Sequence, residues 1–143
     1  MNKKLKLVLA TAIVTVFSFQ GAQALSLKLK KEQKSTQEKI DTKLAEINQK
    51  CGCAPTVEIN WESFEKKEDF FIASRNVNNI GDGMAAVCKD FKKEVCEGVK
   101  TVKITKGDPM SKSLKAGVIE ETIPSGDRTW GASDIQKLIE ENL

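Results

Sequence analysis

The four cysteines constrain the fold of this chain more than any other feature of its sequence. They stand in two close groups, Cys51 with Cys53 around a single glycine, and Cys88 with Cys96. An even number of cysteines in an exported chain indicates a disulfide framework, and four cysteines allow three connectivities. Two of these connectivities tie the C-G-C segment to the later pair, so the chain after this segment is predicted to be a domain braced at that point.

Residues 1–24 have the composition of a secretory signal peptide. A lysine-rich start precedes an apolar run that ends at Phe19, and Ala22-Gln23-Ala24 is a small-residue cleavage site. The apolar run is shorter than the ~20 residues that span a bilayer, and no cysteine follows the cleavage site to carry a lipid. We therefore expect a mature chain that starts at Leu25, has no transmembrane segment, and resides in the periplasm or outside the cell.

Net charge and the absence of histidine narrow the function classes. The full chain has 23 basic and 20 acidic residues, and removal of residues 1–24 takes away three lysines and no acids, which leaves 20 of each. A neutral mature chain gives no electrostatic support for binding nucleic acid or anionic lipid. Without histidine, Ser-His-Asp catalysis, Cys-His catalysis and imidazole metal sites are all excluded.

Residues 25–50 are predicted to form the N-terminal edge of the domain. Residues 25–30 alternate apolar and polar side chains, which is typical of a short strand; the alternative is an unstructured N-terminus. The sequence Ser35-Thr36-Gln37-Glu38 has the form of a capping box, and a narrow apolar stripe after it indicates an amphipathic helix as far as Lys50. That stripe consists of Ile40, Leu44 and Ile47.

Residues 51–143 are predicted to hold the disulfide-braced α+β domain itself. Alternation from Val57 to Trp61 indicates its first strand. Residues 62–79 indicate a short helix followed by a polar loop, and apolar spacings of three and four residues predict a longer helix over residues 83–97.

The last third of the chain predicts a hairpin and a final helix. Residues 100–106 and 114–123 alternate on either side of a Gly-Asp-Pro turn, which indicates an antiparallel hairpin with a bulge near Gly117. A second capping box at Ser133 begins the last helix. The predicted fold class is therefore α+β, a small mixed sheet with a β-α-β-β core, covered by helices and braced by two disulfides. Residues 25–143 form a single domain.

Geometry ranks the three disulfide connectivities. On one continuous helix the Cα atoms of Cys88 and Cys96 are ~12 Å apart, whereas a disulfide needs roughly 4.4–6.8 Å, so these two cannot bond. A Cys51–Cys53 bond would leave both helical thiols unpaired. In a parallel β-α-β unit the end of the helix returns to the start of the first strand, which favours the pairs Cys51–Cys96 and Cys53–Cys88. The crossed alternative joins Cys51 to Cys88 and Cys53 to Cys96.

The sequence contains no clear catalytic motif, so binding is the favoured function. We predict a non-enzymatic domain that binds an envelope or extracellular protein or a ligand, without a cofactor or a metal. Its contact surface is expected in the irregular polar loop, at Arg75, Asn76, Asn78, Asn79 and Asp82.

Three chemical alternatives use residues that the sequence contains. A C-G-C disulfide would be strained and oxidising, which suits a thiol–disulfide exchange enzyme, although the pair follows a helix instead of preceding one. Monovalent copper can bind C-x-C thiols together with Met84 or Met110, while the cysteine spacing fits a zinc site poorly. Glycan hydrolysis needs two acids, and those in the least regular segment are Glu62, Glu65, Asp69 and Asp82.

Overall fold

The computed structural model describes residues 26–126 and 128–143, so the predicted signal peptide lies outside the described residues. The elements in chain order are α1 (Leu27–Cys51), β1 (Thr56–Ile59), α2 (Lys67–Val87), α3 (Lys92–Gly98), β2 (Thr101–Lys106), β3 (Ser111–Lys115), β4 (Val118–Ile123) and α4 (Ala132–Glu140). A short 3-10 helix, Trp61–Ser63, links β1 to α2.

The strands form one mixed sheet in the order β1-β2-β4-β3. The strand pairs β1–β2 and β2–β4 are parallel, and β3–β4 is antiparallel. The chain from β1 through α2 and α3 to β2 is the parallel crossover on which the ranking of the disulfides depends. Parallel neighbours need a long connection of this kind that packs back on the sheet. The predicted α+β class, with a mixed sheet braced by two disulfides, is confirmed.

The antiparallel hairpin predicted between residues 100–106 and 114–123 is wrong, because the antiparallel partner of β4 is β3. β4 pairs antiparallel with β3, whereas β2 pairs with β4 in parallel. The β3–β4 turn consists of Ala116 and Gly117, whose φ angles are 49° and 78°. Two positive φ angles define the tight turn that joins twisted antiparallel strands. Gly117 therefore serves the turn and does not mark a bulge.

The helices cover one face of the sheet, with α2 at the centre of the helical layer between α1 and α4. The inward side chains of the two central strands pack into one core with the apolar face of α2. These buried residues are Val102, Ile104, Ile119 and Ile123 from the strands, and Phe70, Val77, Ile80 and Met84 from α2. The opposite face of the sheet exposes Glu58, Lys103 and Glu120. The fold thus has two layers, and strand alternation separates the core from solvent.

Two glycines let α2 approach a helix on each side. Gly81 and Gly83 are two residues apart, which places them on nearly opposite sides of an α-helix. A Cβ atom at Gly81 would lie 2.8 Å from the side-chain ends of Lys43 and Ile47 on α1. At Gly83 it would lie 2.8 Å from the backbone oxygen of Ala132 and 2.9 Å from the Cβ of Ile135. The α4 contact is therefore with atoms that cannot move independently of the backbone.

Alanine at these two glycines should have different effects on stability. Either substitution gains about 1 kcal/mol of helix propensity, but overpacking against fixed atoms costs typically 1–3 kcal/mol. We expect Gly83→Ala to lower the free energy of unfolding by about 1–2 kcal/mol and Gly81→Ala to be close to neutral, measured by urea denaturation. Equal stabilities of the two variants would contradict this account of the α2–α4 contact.

The N-terminal strand predicted at residues 25–30 is wrong where the structure describes it. The chain is helical from Leu27, and Ser26 Oγ accepts a hydrogen bond from Leu29 N, so Ser26 caps α1. Ser35 lies inside the helix and does not begin it. A short alternating run forms a strand only if a neighbouring strand is available to pair with it. The leucines and lysines of this run are good helix formers, and they extend α1 toward its N-terminus instead.

The helix predicted over residues 83–97 is two helices. α2 begins much earlier, at Lys67, and ends at Val87, where Val87 O accepts hydrogen bonds from both Asp90 N and Phe91 N. The polar loop predicted around residues 75–79 is wrong, because these residues lie in the middle of α2. Tertiary contacts offset the poor helix propensity of asparagine, since Asn79 Nδ2 donates to Trp130 O at 2.6 Å.

The helix break also changes the disulfide pairs. The structure joins Cys51 to Cys88 and Cys53 to Cys96, with Cα–Cα distances of 5.4 and 5.8 Å. The favoured pairs Cys51–Cys96 and Cys53–Cys88 are therefore wrong, and the exclusion of a Cys88–Cys96 bond is confirmed. The β-α-β reasoning places the end of the returning helix at the C-G-C segment, but that end is Cys88. Cys96 belongs to the separate helix α3.

Exposure should determine the order in which the two bridges are reduced. Cys51 is 0% and Cys88 is 5% exposed, whereas Cys53 and Cys96 are half-buried. Thiol–disulfide exchange requires access to sulfur, so mild reduction and alkylation of the native protein should label Cys53 and Cys96 first. Peptide mapping after this step checks the result, and early labelling of Cys53 together with Cys88 would contradict the connectivity.

Candidate functional site

Three of the five predicted contact residues share one exposed side of α2. Arg75, Asn78 and Asp82 follow one another at spacings of three and four residues, which places them in one stripe along a helix, and all three are exposed. Asn76 and Asn79 lie on the other side, and Asn76 is fully buried. The structure therefore separates the predicted contact residues into two groups.

Lys43 of α1 lies beside this stripe and is held in place. Its Nζ atom is 2.7 Å from Asp82 Oδ1 and 3.2 Å from Glu46 Oε2. Burial acts to lower the pKa of Lys43, but hydrogen bonds to the two carboxylates outweigh it and raise the pKa above its ordinary value. Lys43 is thus a fixed positive charge in the groove between α1 and α2.

Phe71 stands one helical turn before Arg75 on the same side of α2 and is 63% exposed. It lines an open depression of about 380 Å³, together with Lys39 on the α1 side and Glu68 and Ser74 on the α2 side. We define the α1–α2 face by six residues: Lys39, Lys43, Phe71, Arg75, Asn78 and Asp82. It combines an exposed aromatic ring with charged and amide groups that follow it along the helix.

Glu121 forms a second candidate site, inside the domain. It lies on the central strand β4 between Ile119 and Ile123 on the core face and is 2% exposed. Neither carboxyl oxygen has a hydrogen-bond partner among the described residues. Burial raises the pKa of the Glu121 carboxyl to about 8, and the charge of Lys112 lowers it by less. The carboxyl group is therefore mainly protonated at neutral pH.

Lys112 is the cation next to Glu121. It stands directly opposite Glu121 on β3, but its Nζ donates to Asp134 O at 3.1 Å and lies 4.5 Å from the centroid of the Trp130 ring. Trp130 is itself bound to β3, because its Nε1 donates to Ser111 O at 3.3 Å. We call Lys112, Glu121, Trp130 and Asp134 the Glu121 cluster.

Asn76 borders the same region from α2. Its Nδ2 donates to Ile72 O at 3.2 Å, while its buried Oδ1 has no partner among the described residues. The residues three and seven positions further along α2 are Asn79 and Gly83, which contact Trp130 and Ile135 respectively. Asn76 therefore lies on the side of α2 that turns toward α4 and the segment before it.

Two of the four carboxylates considered for catalysis, Asp69 and Asp82, have structural roles. Asp69 Oδ2 accepts hydrogen bonds from Glu65 N, Lys66 N and Lys106 Nζ at 2.9–3.0 Å. Burial acts to raise the pKa of Asp69, but these bonds, led by that of Lys106, lower it below its usual value. Asp82 is the ion-pair partner of Lys43.

The sequence analysis missed Glu121, although a signal was present. In β4 the period-two alternation that places Ile119 and Ile123 on the core places Glu121 between them. Two adjacent glutamates in a strand must point to opposite faces, so one of them has to enter the core. Strict application of the alternation to residues 118–123 identifies it.

The cysteines offer no metal ligands, since all four are in disulfides. Within residues 26–126 and 128–143, no group of three or more His, Cys, Asp or Glu side chains is arranged to hold a metal ion. In the same part of the chain, no helix has the length and apolarity needed to cross a membrane.

Comparison with known proteins gives no further guide to function. No protein-family model matches the chain, no curated protein matches it, and no solved structure matches it.

Glu121 should make the protein less stable as pH rises. Its pKa is about 8 when folded against an ordinary value of 4.5, so between these values the unfolded state loses the proton and the folded state keeps it. With respect to this group the folded state is therefore most stable below pH 4.5, and roughly 3–5 kcal/mol of stability is lost as pH rises toward 8. Glu121→Gln is neutral in both states and should lack this loss.

Urea denaturation of both proteins at several pH values checks this expectation. Subtraction of the Glu121→Gln profile removes the effects of other groups, including Asp69, whose lowered pKa affects stability at acidic pH. Parallel profiles for the two proteins would show that the carboxyl group of Glu121 is not buried as described.

Proposed function

We propose that this chain is an exported, disulfide-braced domain that binds an envelope or extracellular protein through its α1–α2 face and catalyses no reaction. Residues 1–24 direct export and are then removed. The two bridges support an oxidising location, where disulfides form and persist. The observation that carries the proposal is the exposed ring of Phe71 within the α1–α2 face.

Phe71 differs from the other exposed apolar side chains. Among the described residues the large apolar side chains that are most exposed are Leu27, Phe71, Phe91 and Leu143. Leu27 begins α1, Phe91 precedes α3, and Leu143 ends the chain, whereas Phe71 lies within a helix. An aromatic anchor on a regular element with a polar rim is the arrangement that dominates the energy of many protein interfaces.

Part of the α1–α2 face is ordered before any partner arrives. Lys43 is fixed by Asp82 and Glu46, and α1 is joined to the end of α2 by the Cys51–Cys88 bridge. A surface whose side chains and backbone are already held loses less conformational entropy on binding. The α1–α2 face therefore supports binding more than the exposed ends of elements do.

The alternative of thiol–disulfide exchange through the C-G-C pair receives less support. Such an enzyme needs Cys51 and Cys53 as partners in one reactive disulfide. Each is instead bonded to a different cysteine, Cys51 to Cys88 and Cys53 to Cys96, and Cys51 is 0% exposed. Both bridges are better explained as structural, and an insulin-reduction assay without turnover is the expected result.

Replacement of Phe71 should abolish partner binding, and Phe91 provides a matched control. Phe91 is also an exposed phenylalanine, 52% against 63% for Phe71, but it lies outside the α1–α2 face. With tagged mature protein in envelope extract, we expect Phe71→Ser to lose at least about tenfold in capture of the partner that the unmodified protein retains. Phe91→Ser should retain it.

Site-specific photo-crosslinking identifies the surface independently. A photoreactive side chain at Asn78, on the α1–α2 face, should crosslink to the captured protein, whereas one at Lys103, on the exposed sheet face, should not. Circular dichroism and urea denaturation confirm that each variant is folded. Equal loss with both serine variants, or crosslinking from Lys103 alone, would reject the α1–α2 face as the binding surface.

A further inference from the structure

The Glu121 cluster contains one cation with two alternative partners. Lys112 Nζ is bound to Asp134 O and lies over the Trp130 ring, and it makes no hydrogen bond to Glu121, whose oxygens are unpartnered among the described residues. Directly opposed residues of antiparallel strands have Cβ atoms ~4.5–5.5 Å apart, so the flexible lysine side chain can reach either partner.

We propose that Glu121 and Lys112 form a pH-responsive switch. Lys112 holds Trp130 against β3 while Glu121 carries its proton. When Glu121 loses this proton, Lys112 turns to the carboxylate and gives up its contact with the Trp130 ring, which then becomes more accessible to solvent. The inference concerns a different site from the α1–α2 face and does not depend on the function proposed for that face.

The direction of the switch follows from the cost of buried charge. A protonated carboxyl group can remain in the core without a cation, so Lys112 keeps its contacts with Trp130 and Asp134. An ionised carboxylate in the same place is strongly unfavourable unless it is paired, and a charge-assisted hydrogen bond from lysine is stronger than a neutral one. Proton loss therefore moves the preferred position of the ammonium group from the aromatic ring to Glu121.

On β2 and α4, the charged groups Lys106 and Asp134 already have partners. On β2, Lys106 is bound to Asp69 of α2 at 2.9 Å. On α4, Asp134 Oδ2 accepts from Gly131 N at 3.0 Å. The side of α2 that turns toward the cluster carries Asn76, which does not titrate. Lys112 is thus the cation placed to respond to Glu121, and a pKa of about 8 sets the response in mildly alkaline conditions.

Release of Lys112 should loosen Trp130 without unfolding α4. The ring then keeps its single hydrogen bond to Ser111 O, and its backbone keeps the bond from Asn79. α4 remains packed on α2 at Gly83. The expected change is therefore local: greater solvent access to the Trp130 ring at high pH.

The experiment follows Trp130 as pH is varied. The chain has two tryptophans, Trp61 and Trp130, so Trp61→Phe isolates the fluorescence of Trp130, and the indole NMR signals of the unmodified protein report the same change without that substitution. From about pH 6 to about pH 9.5 we expect acrylamide quenching of Trp130 to roughly double as the local contact opens. The midpoint should lie near pH 8.

Three variants distinguish the switch from general loosening. Glu121→Gln should show no transition, and Lys112→Met should show none either, since the moving cation is absent. Lys115→Met removes an exposed lysine of the same strand and should keep the transition. A transition that persists in Glu121→Gln would overturn the proposal. So would an unmodified protein whose Trp130 signals stay constant while its stability shows the ionisation of Glu121.

Discussion

The two disulfides at the C-G-C segment hold together the end of the molecule from which four elements depart. Cys51 ends α1, Gly52 turns the chain with a φ of 78°, and Cys53 leads toward β1. The partners Cys88 and Cys96 lie on the two sides of the break between α2 and α3. Because the C-terminal ends of α1 and α2 are joined there, the two helices run side by side in the same direction. The α1–α2 face exists as a fixed surface for this reason.

The sequence predicts this arrangement only in part, and the failures share one cause. The bracing of the C-G-C segment and the final helix follow from local patterns, whereas the parallel crossover is an assumption that the structure confirms. The end of α2 does not follow from local patterns, because residues 88–91 contain neither glycine nor proline and continue the apolar spacing of a helix. The helix ends where a tertiary constraint is found, at the bond between Cys88 and Cys51. Once that end is misplaced, the reasoning that pairs the cysteines gives the opposite connectivity.

The contact residues illustrate the same limit for the site. Composition correctly marks residues 75–82 as unusually polar, and three of them reach an exposed surface. It does not show that the segment is helical, because two of its asparagines are used inside the protein. One side of this helix faces the α1–α2 groove and the other faces α4, and both sides carry polar residues. Because the segment is polar all round, its sequence resembles that of a loop. Helical periodicity separates the exposed contact residues from the buried asparagines only once the segment is known to be helical.

Among the described residues two carboxylates are buried, Asp69 and Glu121, and only Glu121 lacks hydrogen-bond partners. Asp69 is 4% exposed and receives three hydrogen bonds, one of them from a lysine. Glu121 is buried to the same degree and receives none, although Lys112 stands opposite it on the next strand. An apolar residue between Ile119 and Ile123 would avoid the cost of a buried polar group. A conflict of this kind between a side chain and its surroundings is what functional sites tend to retain. The lysine that would resolve the conflict is instead used to hold Trp130, and the two roles of that one cation make the stability of the core and the position of the ring depend on the same proton.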